Sequence, residues 1–362
     1  MSLEHISIIN FRNLQKVKVA LEPRLNFFLG ANGSGKTSLL EAFYFLSSAR
    51  SFTTNSRRSF IMNGKEECIV RGDIKGDYQL DRVGVSRTRS GGAEIRINGE
   101  KIHRSSELAS CLPTIVLGPE SLNLLIGSPS RRRSFMNWGT FHVEPLFKEV
   151  WDRANRCLKQ RNHALQFKLS GKEELASWTD GLIKNSLKID AYRRDYIDEL
   201  NPILSQVIDR ISGLGNVELF YLCGWDKETD LSEVFDRNSE IDLKRGYTKA
   251  GFHRADLKLY IRGRPVVETC SRGELKALVW ALKLAQGKLL NRKKTPNERK
   301  PIFLVDDLGA EFDGQHRQNI QEFLYETGHQ TIITAIDRFV LSGLTKNIPA
   351  KMFHVEQGKI RN

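Results

Sequence analysis

Cysteine is scarce and scattered in this chain. The five cysteines (Cys68, Cys111, Cys157, Cys223 and Cys270) are odd in number, widely spaced and never in a C-x-x-C pair. That excludes a disulfide framework or a thiolate metal site and leaves reduced, mostly packed thiols. Long apolar runs are missing too: no stretch approaches the roughly 20 residues needed to span a bilayer. The opening MSLEHISIINFRN has no basic segment followed by an apolar one, so a cytosolic protein is expected. There is no internal repeat and no low-complexity segment. Zinc-finger spacing, a recognition-helix signature and an aromatic RNA-binding motif are all absent, so any nucleic acid would be bound by its structure rather than its sequence. Acidic residues are the minority charge, 43 against 56 Lys and Arg, and the formal charge of +13 favours a polyanionic partner, with nucleic acid the leading candidate.

What is present is globular in composition, with 40% hydrophobic and 27% charged residues over a length that suits one large or two ordinary domains. Residues 1–125 alternate short apolar runs (ISIINF, LNFFLG, ECIVRGDI, EIRINGEKI, PTIVLG) with Gly and Asn turns, which reads as strand-rich. From 126 to 212 the period changes to that of long helices. Phe147, Val150, Ala154, Cys157, Arg161 and Ala164 recur at spacings of three and four; after a break at LSGKEE come Leu182, Ile189, Tyr192, Tyr196, Leu200, Ile203 and Val207. Two antiparallel helices forming an arm are expected there, with amphipathic helices lying on a core as the alternative. Over 213–362 strands return and alternate with helices. The fold class expected is α/β, with a helical segment inserted into it.

The chemistry starts at GANGSGKTSLLEA, which meets the pattern G-x-x-x-x-G-K-[ST] with Gly30, Gly35, Lys36 and Thr37, and fills the loop with Ala31, Asn32, Gly33 and Ser34. The run LNFFL before it reads as a buried strand; Leu39, Ala42, Phe43 and Leu46 after it recur as on a helix. Glycines between a strand and a helix N-terminus can aim backbone N–H groups at phosphate oxygens. Lys36 would reach the β- and γ-phosphates, and Thr37 would take a Mg²⁺ position. The dinucleotide fingerprint G-x-G-x-x-G fails, because the glycines here run G-x-x-G-x-G.

Far downstream, PIFLVDD delivers Asp306 and Asp307 at the end of an apolar run, as a buried parallel strand delivers carboxylates to a sheet edge. Beside a phosphate loop, the first acid would help hold Mg²⁺ and the second would orient or deprotonate the attacking water. Between the two lies Ser271-Arg272-Gly273-Glu274, running into a helix with Leu275, Leu278, Val279, Leu282 and Leu289 on one face. Ser271 and Glu274 suit a capping box. The same helix start also suits a γ-phosphate presented by another subunit.

Together these elements resemble the ABC-type head of the SMC-like ATPases, and within them the bacterial recombinational-repair proteins. The resemblance covers nearly the whole chain: INFRN (9–13), the phosphate loop, ARSF (49–52), GPESLNLLIGSPSRRRSFMNWG (118–139), GFHRADL (251–257), SRGELK and LVDDLGAEFD (304–313). It implies an ABC-type ATPase head with a mixed sheet, flanking helices and an inserted helical arm. Residues 30–37 would form the phosphate loop, Asp306 would assist Mg²⁺, and Asp307 would be the catalytic carboxylate. Ser271–Glu274 would contact ATP on the opposite protomer of a head-to-tail, ATP-dependent homodimer. Arg12 and Asn13 would lie near the nucleotide, and Glu311 to Asp313 along the dimer interface. The resemblance also implies DNA partners with duplex segments or single-strand/duplex junctions, and work with RecO and RecR in directing RecA onto gapped DNA. Phe252, Glu274 and Ala310 depart from the family pattern, which usually has proline, often glutamine, and serine at these places.

Arg131, Arg132 and Arg133 stand at the foot of the expected arm and are candidate phosphate contacts, as are Arg57–Arg58, Lys159–Arg161, Arg193–Arg194 and Lys293–Lys294. Two other functions fit parts of the pattern. A transporter's ATP-binding subunit is disfavoured by the helical insertion between Lys36 and Ser271. A DNA-binding scaffold with a vestigial nucleotide site is disfavoured by the intact Lys36, Thr37, Asp306 and Asp307.

Overall fold

The structure, a computed structural model, describes residues 1–54, 56, 59–76, 79–167, 172–292, 299–312, 314–337 and 349–361. Arg57, Arg58, Lys293, Lys294 and Asp313, singled out above, lie outside those residues. The chain divides into two compact units: Met1–Ser121, Arg210–Ser212 and Lys276–Asn362 form one, and Leu122–Asp209 with Gly213–Leu275 form the other.

Two sheets make the first unit. One is antiparallel, in the order Leu14–Ala20, Ser2–Phe11, Glu67–Lys75, Leu80–Thr88, Ala93–Ile97, Glu100–Ile102. Its strands alternate buried and exposed residues, as in Glu67–Lys75, where Cys68, Val70 and Ile74 point inward. The other runs Lys359–Arg361, Ala350–Glu356, Leu25–Leu29, Thr331–Ala335, Ile302–Val305, Thr114–Leu117, parallel except at its Lys359–Arg361 edge. Leu25–Leu29, Ile302–Val305 and Thr331–Ala335 are buried at every position, because both faces of these parallel strands are covered. The helix Lys36–Ser48 packs on strands of both sheets, so Leu39, Leu40, Ala42, Phe43, Phe45 and Leu46 are all buried rather than one stripe of them.

In the second unit Phe147–Phe167 and Lys172–Ile211 are helices, and their contacts run in opposite chain directions. The ring of Phe147 lies 6.4 Å from that of Tyr192, Cys157 abuts Gly181, and Arg161 Nε donates to Thr179 Oγ1 at 3.0 Å. The pair is antiparallel. It is not a bare arm, however. The helix Leu231–Arg245 brings Leu231 and Phe235, and the turn at 252 brings Phe252, into one cluster with Phe147, Val150, Ala154, Leu182 and Ile189. This corrects the boundary expected at 213. Residues 213–275, with the small sheet Val217–Leu222, Asp256–Ile261 and Arg264–Pro265, belong with the helices, because the apolar faces of Phe147–Phe167 and Lys172–Ile211 are covered by them. Buried charges tie the same elements together: Arg161, 3% exposed, pairs with Asp242, 1% exposed, at 2.9 Å and also donates to Thr248 Oγ1.

Candidate nucleotide site

The strand Leu25–Leu29 ends at Gly30, whose N–H donates to the Ala335 carbonyl on the neighbouring strand at 3.1 Å. A Cβ at Gly30 would lie 2.2 Å from the Val355 carbonyl oxygen, so only glycine lets the loop pass here. The loop closes at Gly35, with φ 114°, a conformation that L side chains rarely adopt, and the helix Lys36–Ser48 begins at the next residue. Ser34 accepts a backbone hydrogen bond from Gly358 N–H at 2.8 Å, so the turn between Ala350–Glu356 and Lys359–Arg361 props the loop from behind. Lys36 Nζ lies over the loop, donating to the carbonyls of Gly30 at 2.6 Å and Ala31 at 3.0 Å. Burial lowers the Lys36 pKa, while Asp307 and Asp306 act the other way and favour its charged form.

Across the mouth stand the two acids. Thr37 Oγ1 lies 3.2 Å and 3.3 Å from the two carboxylate oxygens of Asp306. Burial pushes the Asp306 carboxyl above its ordinary range; hydrogen bonds from Thr334 and Thr37 oppose that, the charge of Asp307 adds to it and Lys36 opposes it. Asp307 has φ 49°, in the left-handed region, and its N–H donates to Thr334 Oγ1 at 3.0 Å. These groups line a cleft of about 530 Å³ with Arg12, Asn13, Asn32, Gly33, Gly35, Lys36, Ser38 and Pro119. Its chemistry is that of a polyphosphate site: backbone N–H groups at a helix start, one ammonium, and a hydroxyl facing a carboxylate. Thr37 and Asp306 are hard oxygen donors that suit Mg²⁺, a cation that takes few protein ligands and completes its shell with water and phosphate oxygens. No cluster of three or more His, Cys, Asp or Glu side chains able to hold a metal occurs among the described residues.

A model of the RecF/RecN/SMC N terminal domain matches residues 2–361. The DNA replication and repair protein RecF of Shewanella baltica strain OS185 is 40% identical over 360 residues, 99% of each chain. The chain belongs to the RecF family. A second RecF-family relative, the DNA replication and repair protein RecF of Pseudomonas aeruginosa strain LESB58, is 40% identical over 362 residues, covering 99% of this chain and 97% of that one. Among solved structures, that of the recombination mediator protein RecF-ATP in the RecFOR pathway superposes with a TM-score of 0.86 at 25% identity, covering 99% of this chain and 97% of that one. An Smc head bound to the C-winged helix domain of ScpA gives a TM-score of 0.61 at 14% identity, covering 100% and 96%, and shows the shared ABC-type head fold.

Several residues of this RecF-family site carry no local mark in the sequence. Thr334 Oγ1 donates to Asp306 Oδ1 at 3.0 Å and accepts from Asp307 N–H, so one buried hydroxyl sets both acids. Glu41, fully buried on the phosphate-loop helix, binds Arg12 Nε, Ser51 Oγ and Thr53 Oγ1, and Arg12 in turn donates to Thr53 at 2.7 Å. A lone acid within SLLEAFYF was the available signal for it. Lys283 Nζ donates to the Val116 carbonyl at 2.5 Å and to Ser121 Oγ at 2.9 Å; burial lowers its pKa to about 8. It thereby holds both ends of the segment in which Gly118 abuts Asp306 and Pro119 lines the cleft.

The second unit carries the remaining candidates. Ser271, Arg272, Gly273 and Glu274 are exposed at the start of the helix Arg272–Arg292. The capping box is formed: Ser271 N–H donates to Glu274 Oε2 at 2.7 Å and Glu274 N–H to Ser271 Oγ at 3.3 Å, and these bonds hold the Glu274 carboxyl below its ordinary range. Phe252, where the RecF-family pattern has proline, is 1% exposed and packs edge-on against Trp151 with ring centroids 5.1 Å apart, so it serves the core. The arginine cluster differs from the sequence reading. Arg132 makes a two-pronged ion pair with Asp256 at 2.7 and 3.0 Å and also donates to the carbonyls of Leu125 and Gly127. Arg133 donates to the Ala255 carbonyl at 2.9 Å, and burial lowers its pKa. Their guanidinium groups are held within their own unit. Of the three, Arg131 alone is exposed. Arg161 and Arg193 are likewise buried, and Arg194 is tied to Asp190.

Proposed function

We propose that this RecF-family protein binds ATP with Mg²⁺ in the loop 30–37 and uses its slow hydrolysis to reset an ATP-dependent, head-to-tail homodimer on DNA. The observation that carries this reading is the apposition of Thr37 and Asp306, 3.2 Å apart, at the mouth of a glycine loop with Lys36 inside it. Thr37 and Asp306 would hold Mg²⁺, which supplies charge neutralisation at the phosphates. Gly30, Ala31, Asn32, Gly33, Ser34 and Gly35 would cradle the phosphates, and Lys36 would exchange its loop carbonyls for phosphate oxygens. Asp307 would orient or deprotonate the attacking water, with Arg12 and Asn13 beside the nucleotide. Ser271–Glu274 would meet the nucleotide of the opposite protomer at an exposed helix start, whose dipole favours an anion. A role with RecO and RecR in directing RecA onto gapped DNA is supported by the likeness to RecF of the RecFOR pathway. Among the described residues no helix is long and apolar enough to cross a membrane.

Light scattering in no nucleotide, ADP and a non-hydrolysable ATP analogue checks the mechanism, with a dimer expected in the last state alone. Lys36→Ala should lose nucleotide binding or hydrolysis, whereas Ser271→Arg should keep monomeric ATP binding and lose the dimer. A Ser271→Arg protein that still dimerises and hydrolyses normally would reduce Ser271–Glu274 to a capping box.

Thr334→Val gives a second test. The substitution keeps the shape and removes the hydroxyl that links Asp306 to the Asp307 N–H; a buried hydrogen bond to a charged group is worth about 1.5–3 kcal/mol. Turnover at saturating Mg²⁺ and ATP should therefore fall by roughly ten- to a hundredfold, using about 1.4 kcal/mol per tenfold. An unchanged kcat would mean that Thr334 does not position the acids.

A further inference from the structure

The outer face of the antiparallel sheet carries a row of cations that sequence reading could not see. Five strand pairings place Lys18 opposite Ser7, Ser7 opposite Arg71, Arg71 opposite Gly84, Gly84 opposite Arg96, and Arg96 opposite Lys101. The four charged members come from four strands spread between positions 18 and 101, and all four are exposed. Only Ser7 and Gly84, the smallest members, interrupt them, and the stem of Arg71 lies over Gly84, with its Cγ 3.7 Å from where a Cβ would stand. Five strand spacings of about 4.8 Å make the row about 24 Å long.

The flanking rows add Lys16 and Arg82 against Asp73 and Glu94, so the excess of positive charge is that of the central row. On one side lie Ala20, His5, Asp73 and Arg82; on the other Lys16, Ile9, Ile69, Ser86 and Glu94. Glu94 pairs with Arg96 at 2.6 Å and approaches Lys101 at 3.8 Å, while Asp73 stands 3.7 Å from His5. Among the described residues Lys16, Lys18, Arg71 and Arg82 have no ion-pair partner. Six Lys and Arg side chains therefore face two carboxylates over the three rows. Like charges held this close repel one another and gain from a shared polyanion that brings several phosphates at once.

We propose that this face is a duplex-DNA backbone site, with Lys18, Arg71, Arg96 and Lys101 as phosphate contacts. The inference rests on the DNA-binding reading above and moves the principal contacts from Arg132 and Arg133, which are occupied within their own unit, to the antiparallel sheet. A row about 24 Å long suits a rod that carries one negative charge per about 1.7 Å of axis. Small residues between the cations let the rod come close, and the mix of Lys, Arg, Ser and Gly offers no base-reading element, in keeping with binding that ignores sequence.

The test is fluorescence anisotropy of a labelled mixed-sequence duplex, longer than the row, with the full chain in the ATP-analogue state between about 50 and 200 mM salt. The row variant carries Lys18→Ala, Arg71→Ala, Arg96→Ala and Lys101→Ala; a charge-matched control carries Lys184→Ala, Lys188→Ala, Lys227→Ala and Lys244→Ala, all exposed in the second unit. Thermal melting verifies that both fold, and the paired substitution Lys18→Ala with Arg71→Ala replaces the row variant if it does not. The row variant should bind more than tenfold more weakly at low salt and flatten the slope of log K against log salt by about 3.6, at about 0.9 per lost phosphate contact. The control should keep the wild-type slope to within about one contact. Equal slopes for row variant and wild type, or equal flattening in row variant and control, would overturn the site. Wild-type protein that binds no duplex at all would instead overturn the DNA-binding reading on which it rests.

Discussion

Asp307→Asn is expected to bind Mg-ATP and form the ATP-dependent dimer while losing turnover by about 10²–10⁴-fold, the range associated with removing a positioned general base. The substitution is clean because of the backbone. Asp307 sits at φ 49°, a left-handed conformation that asparagine tolerates well, and its N–H keeps Thr334 Oγ1 as acceptor in either residue. The neighbouring Asp306, with Thr37, is untouched, so the metal position should survive. Phosphate release under multiple turnover, read beside light scattering in ATP, separates the outcomes. The dimer should outlast that of the unaltered protein, because the step that resets it is blocked. Multiple-turnover hydrolysis at the normal rate would take the catalytic role away from Asp307.

Asp242→Ala should cost about 3–5 kcal/mol of stability, the range for removing one partner of a buried ion pair. Arg161 is 3% exposed and Asp242 1% exposed, so alanine would leave the guanidinium charged, buried and short of its anion. The Lys249 N–H would lose its acceptor at the same time. Replacing both partners, as Arg161→Met with Asp242→Leu, should restore most of the loss, since apolar residues need no desolvation of charge. Urea unfolding followed by circular dichroism, dominated by the long helices, reads the effect. A loss below about 1 kcal/mol for Asp242→Ala would show that water reaches Arg161 and that the pair behaves as an exposed one.

Much of the candidate site's geometry was legible because its parts are local. Gly30 to Thr37 lie in one continuous stretch, and a loop that must turn tightly between strand and helix writes its requirement into consecutive residues. Asp306 and Asp307 were legible for a related reason: Ile302–Val305 is buried on both faces, and so reads as an unbroken apolar run with acids at its end. The capping box of Ser271 and Glu274 was visible at its spacing of three, and it forms. Thr334, Lys283 and Gly358 were not visible. Thr334 lies 28 residues from Asp306, Lys283 lies 167 from Val116, and Gly358 lies at the far end of the chain from Ser34. Each is an ordinary residue until the tertiary fold sets it behind residues that line the cleft or close the loop.

The amino-acid sequence by itself determined the glycine loop 30–37, the acidic strand, the two long helices and the excess of positive charge, since each depends on spacing within one segment or on composition alone. The tertiary structure decided which elements each long helix buries against, and thereby gave residues 213–275 to the helical unit. It also decided where the charge is usable. Arg132 and Arg133, adjacent in the chain and suggestive there, are consumed by Asp256 and by backbone carbonyls. Lys18, Arg71, Arg96 and Lys101, unremarked as single residues, form one row. The physical reason is strand register. A shift of one residue in any pairing turns that strand's side chains to the opposite face, and register is set by the apolar core beneath the sheet rather than by the charges it displays.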